Sequence, residues 1–168
     1  AGERVPKLLV ESNDPDENPF AIPVFGIGVA APEINVAIAG GASLTNGAAV
    51  SFGEVDSNSE SSAKTIRITN TGTAVLEGLK VRRQDGFSPA FIVGGPEETR
   101  LPPGESTTFK VTFRPTKAGP RRDTIQITSN DSDTSRFSIV LEGSGVAVPV
   151  IAVKVSGGGL LEDGEAFV

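Results

Sequence analysis

Residues 125–148 read IQITSNDSDTSRFSIVLEGSGVAV, and residues 8–31 read LLVESNDPDENPFAIPVFGIGVAA. Laying Ser12-Asn13-Asp14 over Ser129-Asn130-Asp131 sets an offset of 117 residues, which carries without a gap to both ends of the chain, so that residues 1–51 lie over 118–168. Gly2/Gly119, Phe20/Phe137, Gly26/Gly143, Gly28/Gly145, Pro32/Pro149, Gly40/Gly157 and Gly47/Gly164 are among the identical pairs. A gap-free overlap of this length marks an internal repeat. It predicts a tandem repeat of about 117 residues in three parts: the closing hairpin of a preceding unit at 1–31, one complete unit at 32–148, and the opening strand of a following unit at 149–168.

The quoted stretches also set the type of structure. In the first, Leu8 and Val10, then Phe20, Ile22 and Val24, alternate with their neighbours around SNDPDENP. That spacing puts apolar side chains on one face of a strand, and Asp, Asn and Pro between two such runs supply a turn, so a β-hairpin is expected. Working outward, Ile34, Val36 and Ile38 alternate before Gly40, Gly41 and the Asn46-Gly47 turn pair, and Val50 and Phe52 give a second strand before the polar loop DSNSESS at 56–62. Ile66 and Ile68 share one face of KTIRIT, and a turn follows at Asn70–Thr73. Leu76, Leu79 and Val81 continue, with Gly78 marking a bulge, and Phe87, Phe91 and Val93 suit a short or edge strand. Leu101–Glu105 reads as a turn into STTFKVTFRP, where Phe109, Val111 and Phe113 point inward. Lys117–Pro120 reads as another turn, before the final hairpin.

Strands at intervals of roughly 8 to 15 residues with no helical stretch predict an all-β sandwich. The expected core is Ile34, Val36, Phe52, Ile66, Ile68, Leu79, Phe91, Phe109, Val111, Phe113, Ile125, Ile127, Phe137, Ile139 and Leu141.

Composition removes most chemistry. The chain has no Cys, His, Met, Trp or Tyr, and its aromatic content is nine Phe. Thiolate and imidazole catalysis are therefore excluded, as are ordinary zinc, copper and haem sites. Paired acids such as Glu97 and Glu98 lack the Trp and Tyr platforms that sugar hydrolysis uses, so no enzyme activity is expected. GGPEETR at 94–100 lacks the spacing of a phosphate loop. A net charge of −6 argues against general nucleic-acid binding. No apolar run approaches the roughly 20 residues that span a bilayer, so no direct membrane insertion is expected. The lack of an initiating Met suggests a processed product or a piece of a longer polypeptide.

TIRITNTGTAVLEGLKV (65–81), LPPGESTTFKVTFRPTKAG (101–119) and TIQITSNDSDTSRFSIVLEGSGVA (124–147) resemble the Hydin-like, or ASH-type, immunoglobulin-like repeats. The nearest variant is the bacterial tandem form of "choice-of-anchor D" surface proteins, and NTGTA at 70–74, the LPPGESTTF turn and SNDPDENPF at 12–20 are the most specific pieces. The resemblance implies an immunoglobulin-like β-sandwich used in tandem. It implies an extracellular or bacterial cell-surface location, and it brings no catalytic residues.

Two sets of polar residues stand out. Asp14, Asp16 and Glu17, with their counterparts Asp131 and Asp133, are calcium candidates, because closely spaced carboxylates offer hard oxygen ligands. The same residues are good turn formers, the spacing is not that of an EF-hand, and no other cofactor is expected. Lys80, Arg82 and Arg83, with Arg121 and Arg122, suit a polyanion or an acidic neighbour, or simply solvated, edge-protecting strand faces.

The partial units bear most on function. Leu8, Val10, Phe20, Ile22 and Val24 at one end, and Ile151, Val153 and Val155 at the other, would line strands lacking their own domains. The expected partners are neighbouring copies, or adjacent repeats of the same protein, joined by β-strand addition. A head-to-tail contact of this kind that does not close gives a filament. The sequence is thus read as a non-catalytic structural or adhesive module. The alternatives are a protein-docking scaffold repeat of ciliary type and a carbohydrate-binding module, and the latter is disfavoured by the missing Trp and Tyr.

Overall fold

The structure is a computed structural model. It describes residues 2–84 and 88–149, together with the backbone of two short strands, Val153–Lys154 and Leu160–Leu161. Phe87, Ile151, Val155 and the predicted Asp163-Gly164 turn lie outside the described residues.

Four short strands come first: β1 (Gly2–Arg4), β2 (Lys7–Val10), β3 (Phe20–Pro23) and β4 (Gly26–Gly28). Then follow β5 (Ile34–Ile38), β6 (Ala49–Asp56), β7 (Lys64–Asn70), β8 (Leu76–Glu77) and β9 (Lys80–Arg83). The rest are β10 (Phe91–Val93), β11 (Arg100–Leu101), β12 (Ser106–Phe113), β13 (Gly119–Thr128), β14 (Arg136–Val146), β15 (Val153–Lys154) and β16 (Leu160–Leu161). Two four-stranded sheets make the body, in the orders β10-β12-β7-β5 and β6-β14-β13-β9. All neighbours are antiparallel except β6, which runs parallel to β14. This is the immunoglobulin-like sandwich expected from the sequence.

Alternation builds the core between the sheets. Thr107, Phe109, Val111 and Phe113 of β12 face inward, as do Ile125 and Ile127 of β13 and Phe137, Ile139 and Leu141 of β14. Each large apolar side chain buried this way contributes about 1.5–3 kcal/mol. Phe91 and Phe113 stack tilted at the centre, with ring centroids 4.8 Å apart.

The structure differs from the sequence reading at four places. Phe52 is only half-buried: it sits at the rim against Phe91 and Phe113, with the Lys64 ammonium 5.7 Å from its ring centroid. Pro120 lies within β13 rather than in a turn, and a strand tolerates it there because β9 pairs only with residues 125–128 and needs no amide from Pro120. Leu101 is a strand residue, pairing with Leu76 in the β8–β11 ribbon, and both are buried. Gly78, at φ 71°, is a crossover rather than a bulge: the chain leaves β11 there and joins β13.

Candidate interaction surfaces

The leading strands form two short ladders in a common register, in which Gly2 pairs with Gly28, Lys7 with Pro23 and Val10 with Phe20. Adding 117 to each number gives Gly119 with Gly145, Thr124 with Val140 and Ile127 with Phe137, and all three are pairs of the β13–β14 ladder. At the other end, Lys154 pairs with Leu160, which is the Ala37–Ser43 bridge moved by the same offset. Matching turn and apolar positions have produced the same register.

Surroundings separate the two hairpins. Leu8, Val10, Phe20, Ile22 and Val24 are 39 to 57% exposed, whereas their counterparts Ile125, Ile127, Phe137, Ile139 and Leu141 are 0 to 6% exposed under the opposite sheet. The hairpin therefore presents a core face with no core on it. Its other face departs from the repeat: Val5, Leu9, Phe25 and Ile27 stand exposed where β13 and β14 carry Arg122, Gln126, Glu142 and Ser144.

The hairpin loops correspond in the same way. In the second, the Ser129 Oγ accepts from the Asp131 amide (3.3 Å), and Asp131 Oδ1 accepts from the amides of Asp133 (2.9 Å) and Thr134 (3.0 Å). In the first, Ser12 Oγ accepts from the Asp14 amide (3.2 Å) and Asp14 Oδ1 from the Asp16 amide (3.3 Å). The second loop also reaches outward. Asp131 Oδ2 accepts from the Ile34 amide at 2.8 Å, Asn130 Oδ1 from the Glu77 amide at 2.8 Å, and Asn130 Nδ2 donates to the Val75 carbonyl at 3.1 Å. Burial pushes the Asp131 carboxyl up, but the amides of Ile34, Thr134 and Asp133 outweigh that and hold it below the ordinary aspartate value. The Asp14 carboxyl is also held low, by hydrogen bonds to the Asp16 side chain and amide.

NTGTA, a plain turn in the sequence, is the seam between hairpin and sandwich. Asn70 is fully buried: its Nδ2 donates to the carbonyls of Ala74 (2.7 Å) and Leu101 (2.9 Å), and its Oδ1 accepts from the amides of Gly72 (3.0 Å) and Glu33 (3.3 Å). The Thr73 and Ala74 amides donate to the Ala31 carbonyl, and the Thr71 amide donates to that of Glu33. Gly72 is obligatory by proximity, since a Cβ there would lie 2.3 Å from the Ala31 oxygen.

Among the described residues, no three acidic side chains gather as a metal site. Asp14, Asp16 and Glu17 stay on the exposed first loop, and the Asp131 carboxylate is spent on backbone amides. Lys80 and Arg82 stand exposed on edge strand β9, while Arg83 turns to the Phe91 carbonyl. Arg121 and Arg122 line an open groove with Glu54 and Glu142, and the Arg122–Glu142 ion pair spans 3.5 Å. The acidic candidates lie on the two hairpin loops, and the basic ones on β9 and β13. Nothing in the local sequence marks Asn70, because its partners at 33 and 101 come beside it only in the folded chain.

A family model described as "Abnormal spindle-like microcephaly-assoc'd, ASPM-SPD-2-Hydin", the ASH domain, matches residues 42–137. Among solved structures, a protein of unknown function from Porphyromonas gingivalis W83 is similar at 18% identity and a TM-score of 0.54, over 85% of this chain and 66% of that one. The ASH / PapD-like domain of human CEP192 is similar at 10% identity and a TM-score of 0.51, over 71% of this chain and 89% of that one. No curated protein matches the sequence.

Proposed function

The chain belongs to the ASH family, and from that premise we propose that it is a non-catalytic structural or adhesive module of a large secreted or cell-surface bacterial protein. Its units join head to tail, the closing hairpin of one completing its neighbour by β-strand addition. Between separate copies, β-strand addition through the partial units at 1–31 and 149–168 builds an extracellular filament.

The observation that carries this reading is the shared register. Residues 2–28 keep the register of residues 119–145, yet the side chains equivalent to the buried ones there are bare. Such a hairpin is marginal in water by itself. The resemblance of SNDPDENPF at 12–20 to bacterial tandem repeats supports the surface location, and the absence of Cys and His supports a role without catalysis.

The test is the solution mass of the 168-residue chain across a concentration series, with negative-stain images of the same samples. Growth into polymers that is abolished by deleting residues 1–31 is the expected result. A monomer at every concentration, with residues 1–31 open to protease, refutes assembly between copies.

A further inference from the structure

The second hairpin shows, within this chain, what a hairpin of this register sits on. Ile125, Ile127, Phe137, Ile139 and Leu141 are buried under the β10-β12-β7-β5 sheet. At its tip, Asp131 Oδ2 takes the amide of Ile34 at the start of β5, and Asn130 takes the amide of Glu77 and the carbonyl of Val75 at β8. The tip thus ties β5, the first strand of the sandwich, to β8, far from it in sequence. In the leading hairpin the internal bonds of this loop, Ser12 to Asp14 and Asp14 to Asp16, are already made, with Asn13 and Asp14 exposed.

We infer that the hairpin at 2–28 is a preformed plug for an ASH unit that lacks its last hairpin, and that Asn13 and Asp14 are its polar latch. Leu8, Val10, Phe20, Ile22 and Val24 enter that unit's core. Asp14 accepts the amide that opens the partner's first strand, the position of Ile34, and Asn13 bridges its strand at the positions of Val75 and Glu77. This rests on the reading of the hairpin as a closing element, and it gives the acidic loop the task of binding backbone amides rather than a cation.

The partner's chemistry follows from the same comparison. It offers strands like β5 to β12 with the space beside them vacant. The sandwich at 34–146 does not qualify, because β13 and β14 already fill that space. The occupant is a separate, neighbouring ASH unit.

A lengthened chain tests this directly. A second copy of residues 32–117 is placed ahead of Ala1, so that Lys117 precedes Ala1 as it precedes Ala118 in the natural sequence and the 117-residue spacing is kept. Hydrogen exchange is read at a concentration where the 168-residue chain is monomeric, at Leu8, Leu9, Ala21 and Ile22, with Ile125 and Ile139 reporting on the original sandwich. The hairpin amides exchange about 1,000-fold more slowly in the lengthened chain than in the 168-residue chain, as expected for residues drawn into a cooperative unit. N13A with D14A gives back about tenfold or more of that protection in the lengthened chain, and leaves the 168-residue chain unchanged at Leu8 and Ile22.

Equal exchange at the hairpin in both chains, with Ile125 and Ile139 protected, overturns the inference. Protection that the double variant leaves untouched removes the latch. Protection in the lengthened chain alongside a strictly monomeric 168-residue chain upholds the plug and refutes assembly between copies. Polymers without protection do the reverse.

Discussion

Asn70→Ala isolates the seam. The amide is fully buried and makes four hydrogen bonds, to Ala74, Leu101, Gly72 and Glu33, at 2.7 to 3.3 Å. Truncation removes all four and leaves two carbonyls and two amides around a void. Each bond is worth about 1 kcal/mol net, so four come to about 4 kcal/mol, with the loss eased where water reaches Glu33 and deepened where the other partners stay buried. The sum is about 3–5 kcal/mol. For a unit of this size, roughly 4 °C is lost per kcal/mol, so the melting midpoint falls by about 12–20 °C. Asn130→Ala is the control: this asparagine also bridges strands through backbone groups, but it is exposed, so its loss costs about 1 kcal/mol. Thermal unfolding followed by circular dichroism separates the two. If Asn70→Ala melts within about 3 °C of Asn130→Ala, burial of the Asn70 amide is not what holds the seam, and the reasoning fails.

Three further outcomes follow from the same geometry. The Asp131 carboxyl lies lower in the folded chain than its unfolded value of about 3.9, so its contribution is present above that value and is lost as pH falls through the folded one. The stability gap between the natural chain and D131N, measured by urea denaturation, is therefore wide at neutral pH and narrows as pH falls below the unfolded value and through the folded one; a constant gap contradicts the assignment. Gly72→Ala forces backbone apart, with its Cβ 2.3 Å from the Ala31 oxygen and 2.5 Å from the Glu33 nitrogen, and costs about 3 kcal/mol with faster exchange at Thr73 and Ala74; a midpoint within about 2 °C of the parent contradicts the close approach. Ile139→Ala costs about 2–5 kcal/mol in denaturant, whereas Ile22→Ala, at the equivalent but exposed position, costs under about 0.5 kcal/mol in the 168-residue chain; equal costs would show that the leading hairpin is packed in solution.

Much of this fold was legible because period-2 patterns survive wherever a strand is covered on one side. Phe109, Val111 and Phe113, and then Phe137, Ile139 and Leu141, declared their inward faces without ambiguity. Leu76 and Leu101 did not, because a two-residue strand is too short to show a period and Leu101 sits between Arg100 and two prolines. Phe52 misled for a different reason. It alternates correctly, but β6 is the edge strand of its sheet, so its ring is left at the rim with Lys64 across it. The polar nodes were the least legible. Asn70 and Asp131 are ordinary turn residues by type, and their weight comes from partners 31 to 97 positions away.

The parallel pairing of β6 with β14 sets how a unit answers tension. Rungs run from Ala49 with Val140 to Asp56 with Val146. Pulling back on the entry to β6 while pulling forward on the exit of β14 slides the two strands past each other lengthwise. Every rung is then strained together, whereas tension at two adjacent hairpin ends opens rungs one at a time. Force applied at those two points meets all the rungs in shear, and they yield together only once that lock is exceeded.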